Sequence, residues 1–343
     1  MTRAYLASLA RIADFDRNPY DVRALHKAKW ASGDYVLGEV CGPRSELYNI
    51  ETCSGEMLPV HAGDQVIGAF GVRAGTLEGA GDYASIEHGN MQALTNAGLF
   101  GAFTSFSTLL PRPISLRYRG HILRDDRKVQ MRDFAITSAQ TEFNVPSILL
   151  VGTSMSAGKT VAGRLACKLL SSAGYKVIGA KITGAGRYRD IASFKQYGAI
   201  EIYDFVDAGL PTTIVPEHEY RAAIRPLLRY IAGRKPDYLV VEAGASPLEP
   251  YNGAPAMDEL GGNICCTILC ASDPYAVVGV QQAFGLTPDL VSGLAASTTA
   301  AVNLVTKLTG VPAINTLDPD AEQEFRKFLG ETLKIDLSER RSA

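Results

Sequence analysis

Lys159 and Thr160 close a run of small residues, Gly152-Thr-Ser-Met-Ser-Ala-Gly-Lys-Thr160, that follows the apolar stretch Ile148-Leu-Leu-Val151. These types in this order suit the holding of a phosphate chain. Small residues let backbone N–H groups converge on an anion, and the helix after the loop aims its positive end at it. The lysine adds a cation, and the threonine hydroxyl suits Mg2+. The expected binding set is Gly152, Thr153, Ser156, Ala157, Gly158, Lys159, Thr160 and Val161, and the expected ligand is a nucleoside triphosphate. One position departs from G-x-x-x-x-G-K-[ST]: Thr153 stands where the first glycine belongs, one residue after Gly152.

Further acids and cations gather at the ends of other apolar runs. Tyr238-Leu-Val-Val241 ends in Glu242, the expected Mg2+ carboxylate beside Thr160, and Ala243-Gly-Ala245 then lets a ligand approach the backbone. Val177-Ile-Gly-Ala180 delivers Lys181 and Thr183, followed by Arg187 and Asp190. Lys181 could stabilise charge on a transferred group, and Asp190 could be a further metal ligand or the N-cap of a helix opening there. Catalytic roles thus fall to Lys159, Lys181 and Glu242, metal binding to Thr160, Glu242 and Asp190, and substrate contact to Thr183, Arg187 and Ala245. Asn315, near a late strand end, could meet an adenine edge or simply make a turn.

These residues need a frame that brings strand ends together. From Ser147 onward, strands at 148–152, 177–181, 212–215, 238–243, 264–270, 290–295 and 312–315 alternate with helical spacing. The pattern predicts an α/β fold over 147–336, a mostly parallel sheet with helices on both faces and ligands beyond the carboxyl ends. Residues 1–140 read instead as a smaller β-rich domain, with β-forming segments at 33–40, 58–72 and 114–123. Met91 to Phe106 has the spacing of a helix or buried crossover, Glu51–Glu56 reads as a hairpin tip or substrate loop, and 135–147 reads as a linker.

Composition narrows the class. A chain of 343 residues, 46% hydrophobic and 20% charged, suits two ordinary globular domains. A net charge of −2 gives no footprint for nucleic acid, no apolar run reaches membrane-spanning length, and the N-terminus does not read as a secretory signal. A cytoplasmic protein is expected. The six cysteines read as core thiols, with a thiolate metal site at Cys265, Cys266 and Cys270 as the rival.

Three stretches together carry a resemblance: Gly152-Thr-x-x-x-x-Gly-Lys-Thr160, the strand ending in Lys181 with Thr183-Gly184 beyond it, and Val240-Val-Glu-Ala-Gly-Ala245. They resemble dethiobiotin synthetase and the wider class of P-loop NTPases around it, over residues 147 to roughly 320. The resemblance implies MgATP, activation of a carboxylate or carbamate as a mixed phosphoric anhydride, a small-molecule substrate and a homodimer. Carried over, Lys159 binds phosphates, Thr160 and Glu242 hold Mg2+, and Lys181 faces the transferred phosphoryl group. Ile182 and Ala243 depart from the family's proline and glycine, and Ser246–Asn252 departs from its substrate segment.

The partitioning ATPases' early signature lysine is absent, and so is the Asn-Lys-x-Asp segment by which GTPases read guanine, which favours ATP. The expected function is an ATP-dependent ligase. The alternatives are a small-molecule kinase, a nucleotide-gated switch or metallocentre chaperone, and an acyltransferase whose cradle holds coenzyme A.

Overall fold

Alternation of inward and outward side chains builds the first part of the chain. The computed structural model describes residues 4–43, 49–137, 141–244 and 246–338. The chain divides into two compact units: one comprises residues 1–137, 185–189 and 205–215, the other 138–184, 190–204 and 216–343.

The first unit holds β1 (Ala4–Leu6), β2 (Asp21–Arg23), β3 (Tyr35–Val40), β4 (Ile50–Glu51), β5 (Met57–Leu58), β6 (Gln65–Phe70), β7 (Val72–Gly75), β8 (Gly79–Asp82), β9 (Asn90–Thr95), β10 (Leu99–Phe106), β11 (Ser115–Arg124) and β12 (Arg127–Lys128). Pairing runs β6–β3–β11–β9–β10, and the first two residues of β10 return to β6 in parallel, which closes a five-stranded ring. Val36, Val40, Val66, Phe70, Met91, Ala93, Phe100 and Leu116 fill its core. Gly38 and Gly68 occupy the alternate positions between these valines and phenylalanine. A Cβ on Gly38 would stand 2.7 Å from Met91 Cε and displace that side chain, whereas one on Gly68 would strike the Gly98 carbonyl oxygen, so at Gly68 the narrow ring admits only hydrogen.

Met91–Phe106 is therefore neither helix nor crossover. It is the β9–β10 hairpin, turned at Gly98 with φ +85°. The spacing misled because alternate apolar residues on two strands joined by a three-residue loop also fall at intervals of three and four. Glu51–Glu56 lies at the tip of the β4–β5 hairpin.

The second unit holds β13 (Ser147–Gly152), β14 (Val177–Thr183), β15 (Glu201–Asp204), β16 (Tyr238–Ala243), β17 (Ile264–Cys270) and β18 (Leu290–Ser292) in the order β15-β14-β16-β13-β17-β18, all parallel. Every residue of β13 and β14 is buried. Successive side chains point to opposite faces, so both faces are covered, as parallel sheets require. The helices are α1 (Lys159–Ser172), α2 (Tyr188–Gln196), α3 (Glu217–Gly233), α4 (Gly253–Leu260), α5 (Pro274–Phe284), α6 (Thr299–Thr309) and α7 (Glu322–Leu333).

Three expected strands differ. Residues 212–215 form no strand: Thr212 makes an isolated bridge to Ala185, within the first unit. The strand at 290–295 stops at Ser292, because Gly293 turns to φ +79° and opens a 3-10 turn. Residues 312–315 contribute one parallel bridge, Ala313 to Val291. No helix among the described residues is long and apolar enough to cross a membrane.

Candidate functional site

β13 is central, flanked by β16 and β17, and the loop Thr153–Gly158 leaves its carboxyl end and enters α1. Two residues of the loop adopt left-handed backbone, Ser156 at φ +60° and Gly158 at φ +108°. Gly158 is the N-cap of α1, and its carbonyl accepts from the Val161 and Ala162 N–H groups. The helix therefore presents its unsatisfied N-terminal amides to the loop. Thr153 ties the loop to the next strand: its N–H donates to the Cys270 carbonyl at 3.2 Å, and its Oγ1 accepts from the Ser272 N–H at 3.0 Å. That anchoring explains how a threonine can stand where the pattern expects glycine.

Lys159 is only 5% exposed. Its Nζ donates to the Ser154 carbonyl at 2.8 Å, so the ammonium folds back over the loop. Burial pulls its pKa below the ordinary lysine value, opposed by the nearby Glu242 carboxylate. Thr160 Oγ1 donates to Glu242 Oε2 at 3.2 Å, which joins the first turn of α1 to the end of β16. A hydroxyl and a carboxylate at this separation, beside a buried lysine, form a donor set that fits a Mg2+–phosphate pair. The residues present thus fit both the nucleotide phosphates and the ion.

Lys181 Nζ pairs with Asp190 Oδ2 at 2.8 Å, and their side chains are 8% and 23% exposed. Asp190 lies in the first turn of α2, which begins two residues earlier at Tyr188, so it is not the N-cap. Thr183 is fully buried and donates to the Gly244 carbonyl at 3.2 Å. Arg187 belongs to the first unit, outside the unit that carries the loop, and Ala245 lies outside the described residues. Asn315 makes a turn: its Oδ1 accepts from the Leu317 N–H and its Nδ2 donates to the Ser297 carbonyl, each at 3.2 Å.

Sequence reasoning missed a cavity of about 240 Å3 that Val161, the residue after Thr160, helps to line. Arg164, Leu165, Tyr197, Leu317, Asp318 and Glu322 are among its lining residues. The recurrence of Val161, Arg164, Leu165 and Lys168 on one face of α1 was legible, but not that Tyr197 and the 316–319 loop would face it.

The thiolate site is not formed. Cys265, the extra residue where the β13–β17 register shifts, is exposed, and Cys266 is buried. Cys270 stands four residues from Cys266 along the strand, about 13 Å at strand rise, too far to share an ion. All six cysteines are free, and no cluster of three or more His, Cys, Asp or Glu suited to a metal occurs among the described residues.

The second unit has an α/β fold, a six-stranded parallel sheet whose central strand runs through a short loop into α1. The chain matches no protein-family model and no curated protein. Among solved structures it is similar to chloroplast FtsY from Physcomitrella patens, with 15% identity, TM-score 0.38, and coverage of 58% of this chain and 70% of that one. It is similar to the cell division protein FtsY from Thermotoga maritima, with 16% identity, TM-score 0.36, and coverage of 58% and 73%. It is also similar to the signal recognition particle receptor FtsY from Elizabethkingia anophelis, with 14% identity, TM-score 0.36, and coverage of 60% and 75%. The expectation of an ATP-dependent ligase or small-molecule kinase of the dethiobiotin synthetase type gives way here. The neighbours are FtsY proteins rather than synthetases, and Lys181, which that chemistry would aim at the transferred group, is held by Asp190.

Proposed function

We propose that the second unit binds a Mg2+–nucleoside triphosphate, hydrolyses it, and serves as a nucleotide-gated switch. The observation that carries this reading is the Thr160–Glu242 hydrogen bond at 3.2 Å, beside the buried Lys159 at a helix N-terminus. In this reading the N–H groups of residues 156–160 and the Lys159 ammonium hold the phosphates, and Thr160 and Glu242 hold the ion. Mg2+ supplies charge neutralisation on the phosphate oxygens when bound. Lys159 turns from the Ser154 carbonyl toward the anion and exchanges a neutral acceptor for a charged one. Glu242, at the end of β16, and Thr160 would hold the ion between the strand and the first turn of α1. In this reading the cavity that Val161 helps to line accommodates the base. A homodimer whose association depends on the bound nucleotide completes the reading.

The test is titration of the whole protein with fluorescent ATP and GTP analogues, with and without Mg2+, alongside phosphate release and light scattering. Support would be 1:1 binding, slow Mg2+-dependent release of phosphate with no added small molecule, and loss of that release in Glu242→Gln. Absence of triphosphate binding would overturn the reading, and so would Mg2+-independent binding of coenzyme A to the same loop.

A further inference from the structure

A residue that follows the edge strand β18 abuts the loop. Gly293 opens the 3-10 turn Gly293–Ala296 after β18 and meets the loop edge to edge. A Cβ on Gly158 would stand 2.8 Å from Gly293 Cα, and a Cβ on Gly293 would collide with the Ala157 carbonyl oxygen and stand 3.3 Å from Cys270 Cβ. Both glycines have positive φ, +108° and +79°. The carbonyl and N–H of one trans peptide point in opposite directions. With the Ala157 carbonyl against Gly293, the Gly158 N–H of that peptide therefore points away from the turn. Gly293 itself is fixed by its neighbours. Ser292 Oγ is 2.8 Å from the Ile314 carbonyl and 2.6 Å from Thr316 Oγ1, the Ala271 N–H donates to the Ser292 carbonyl at 3.1 Å, and the Ala295 N–H donates to the Ala271 carbonyl at 2.9 Å.

We infer that Gly293 is a positioning residue for phosphate binding: it sets the orientation of the Ala157–Gly158 peptide and so aims the Gly158 N–H at the anion. The inference rests on the proposed reading of the loop. It assigns the loop's shape to β18 as well as to the loop's own sequence, because no larger residue at 293 lets the peptide lie where it does.

The experiment compares Gly293→Ala, Gly310→Ala and Ser292→Ala in the full chain by nucleotide affinity, kcat, KM and Tm. Gly310 has φ +71° with open space around the missing Cβ, so its alanine variant reports left-handed backbone strain alone. Gly293→Ala is expected to lose affinity by ~10-fold and kcat by on the order of 10²-fold, since misplacement of about 1 Å can cost that much. Gly310→Ala is expected to match the unsubstituted protein in both while losing some Tm, less than Gly293→Ala. Ser292→Ala, which loosens the turn without adding bulk, is expected to weaken affinity severalfold, and it carries the test if Gly293→Ala does not fold. Equal affinity and kcat in Gly293→Ala and Gly310→Ala, or unchanged affinity in Ser292→Ala, would overturn the inference. Absence of nucleotide binding in the unsubstituted protein would instead overturn the parent reading and this one with it.

Discussion

The Lys181 ammonium lies 2.8 Å from the Asp190 carboxylate, so the cation at the end of β14 is already engaged before any ligand arrives. Both side chains are largely out of water, and deleting one partner removes a charge-assisted bond from the other. Asp190→Ala should therefore destabilise the second unit by about 2 kcal/mol, with Asp190→Asn costing less because an acceptor remains. Urea unfolding with an unchanged m-value checks this. The pairing also separates two roles for Asp190. If it only restrains Lys181, Asp190→Ala should keep the Mg2+ dependence of nucleotide binding, whereas a steep loss of that dependence would return the aspartate to the metal.

Lys159→Ala removes the buried cation from the loop. Nucleotide turnover should fall by on the order of 10²-fold or more, because a preorganised charge on developing anionic oxygens is lost. The Tm should fall only modestly, with the loss of the Ser154 carbonyl hydrogen bond and of the packing of a side chain that is 5% exposed. Phosphate release and thermal unfolding on the same samples test both halves.

Acid should act first on the first unit. Asp34 is fully buried and accepts from the Ala31 N–H at 2.8 Å, from Lys128 at 2.7 Å and from Gln130 at 2.5 Å, and His121 Nε2 lies 3.1 Å away. Burial alone would raise its pKa, but the bonds from His121, Lys128 and Gln130 outweigh it and the net direction is down. A carboxylate lowered in the folded state adds stability that is present above its unfolded pKa and lost as pH falls through the folded value. The loss should thus begin below about pH 4. Trp30, the single tryptophan, packs 4.8 Å from the Tyr118 ring and 6.0 Å from the His121 ring, so its fluorescence reports this unit. Urea midpoints from pH 3 to 7 should fall at the acid end, and Asp34→Asn should flatten that limb at a cost of about 2 kcal/mol at neutral pH.

Thiol labelling should follow burial along β17. Cys265 is exposed and should react first with an aromatic disulfide at pH 8, while the buried Cys266 should not. Burial pushes the Cys270 thiol up to about 12 and Cys53 up to about 11, and drives Cys167 and Cys266 further in the same direction. Mass spectrometry after timed alkylation should find Cys167, Cys266 and Cys270 modified only once the chain unfolds.

The strand ends were legible where a long apolar run met a chemical residue. β13, β16 and β17 are buried along most of their length, so their composition alone marks them, and Lys159, Lys181 and Glu242 stand at or just beyond strand ends. β15, four residues long and reading Glu-Ile-Tyr-Asp, escaped because it is a short edge strand with one neighbour. The 3-10 turn at Gly293 escaped because nothing local tells a glycine ending a strand from one within it; the distant loop that presses on it decides. The closure of β10 onto β6 was equally hidden, since two paired residues thirty positions apart leave no periodic trace. Of the site, the loop and its carboxylate could be read, but the partner of Lys181 could not, because pairing with Asp190 depends on where α2 begins.

Neither unit is a contiguous stretch, and this orders events on the ribosome. All twelve strands of the first unit have been made by Lys128, yet Ala185, Phe205, Val206, Thr212 and Thr213, all buried, belong to that unit and come later. At 5–20 residues per second, roughly 4–17 seconds separate the last strand from Thr213. During that interval the ring exists without its full complement of apolar cover, while β13 and α1 are already being added. A nascent chain paused in this window should be the species most readily captured by chaperones, and the cradle-bearing sheet should mature only after the earlier unit has received its borrowed segments.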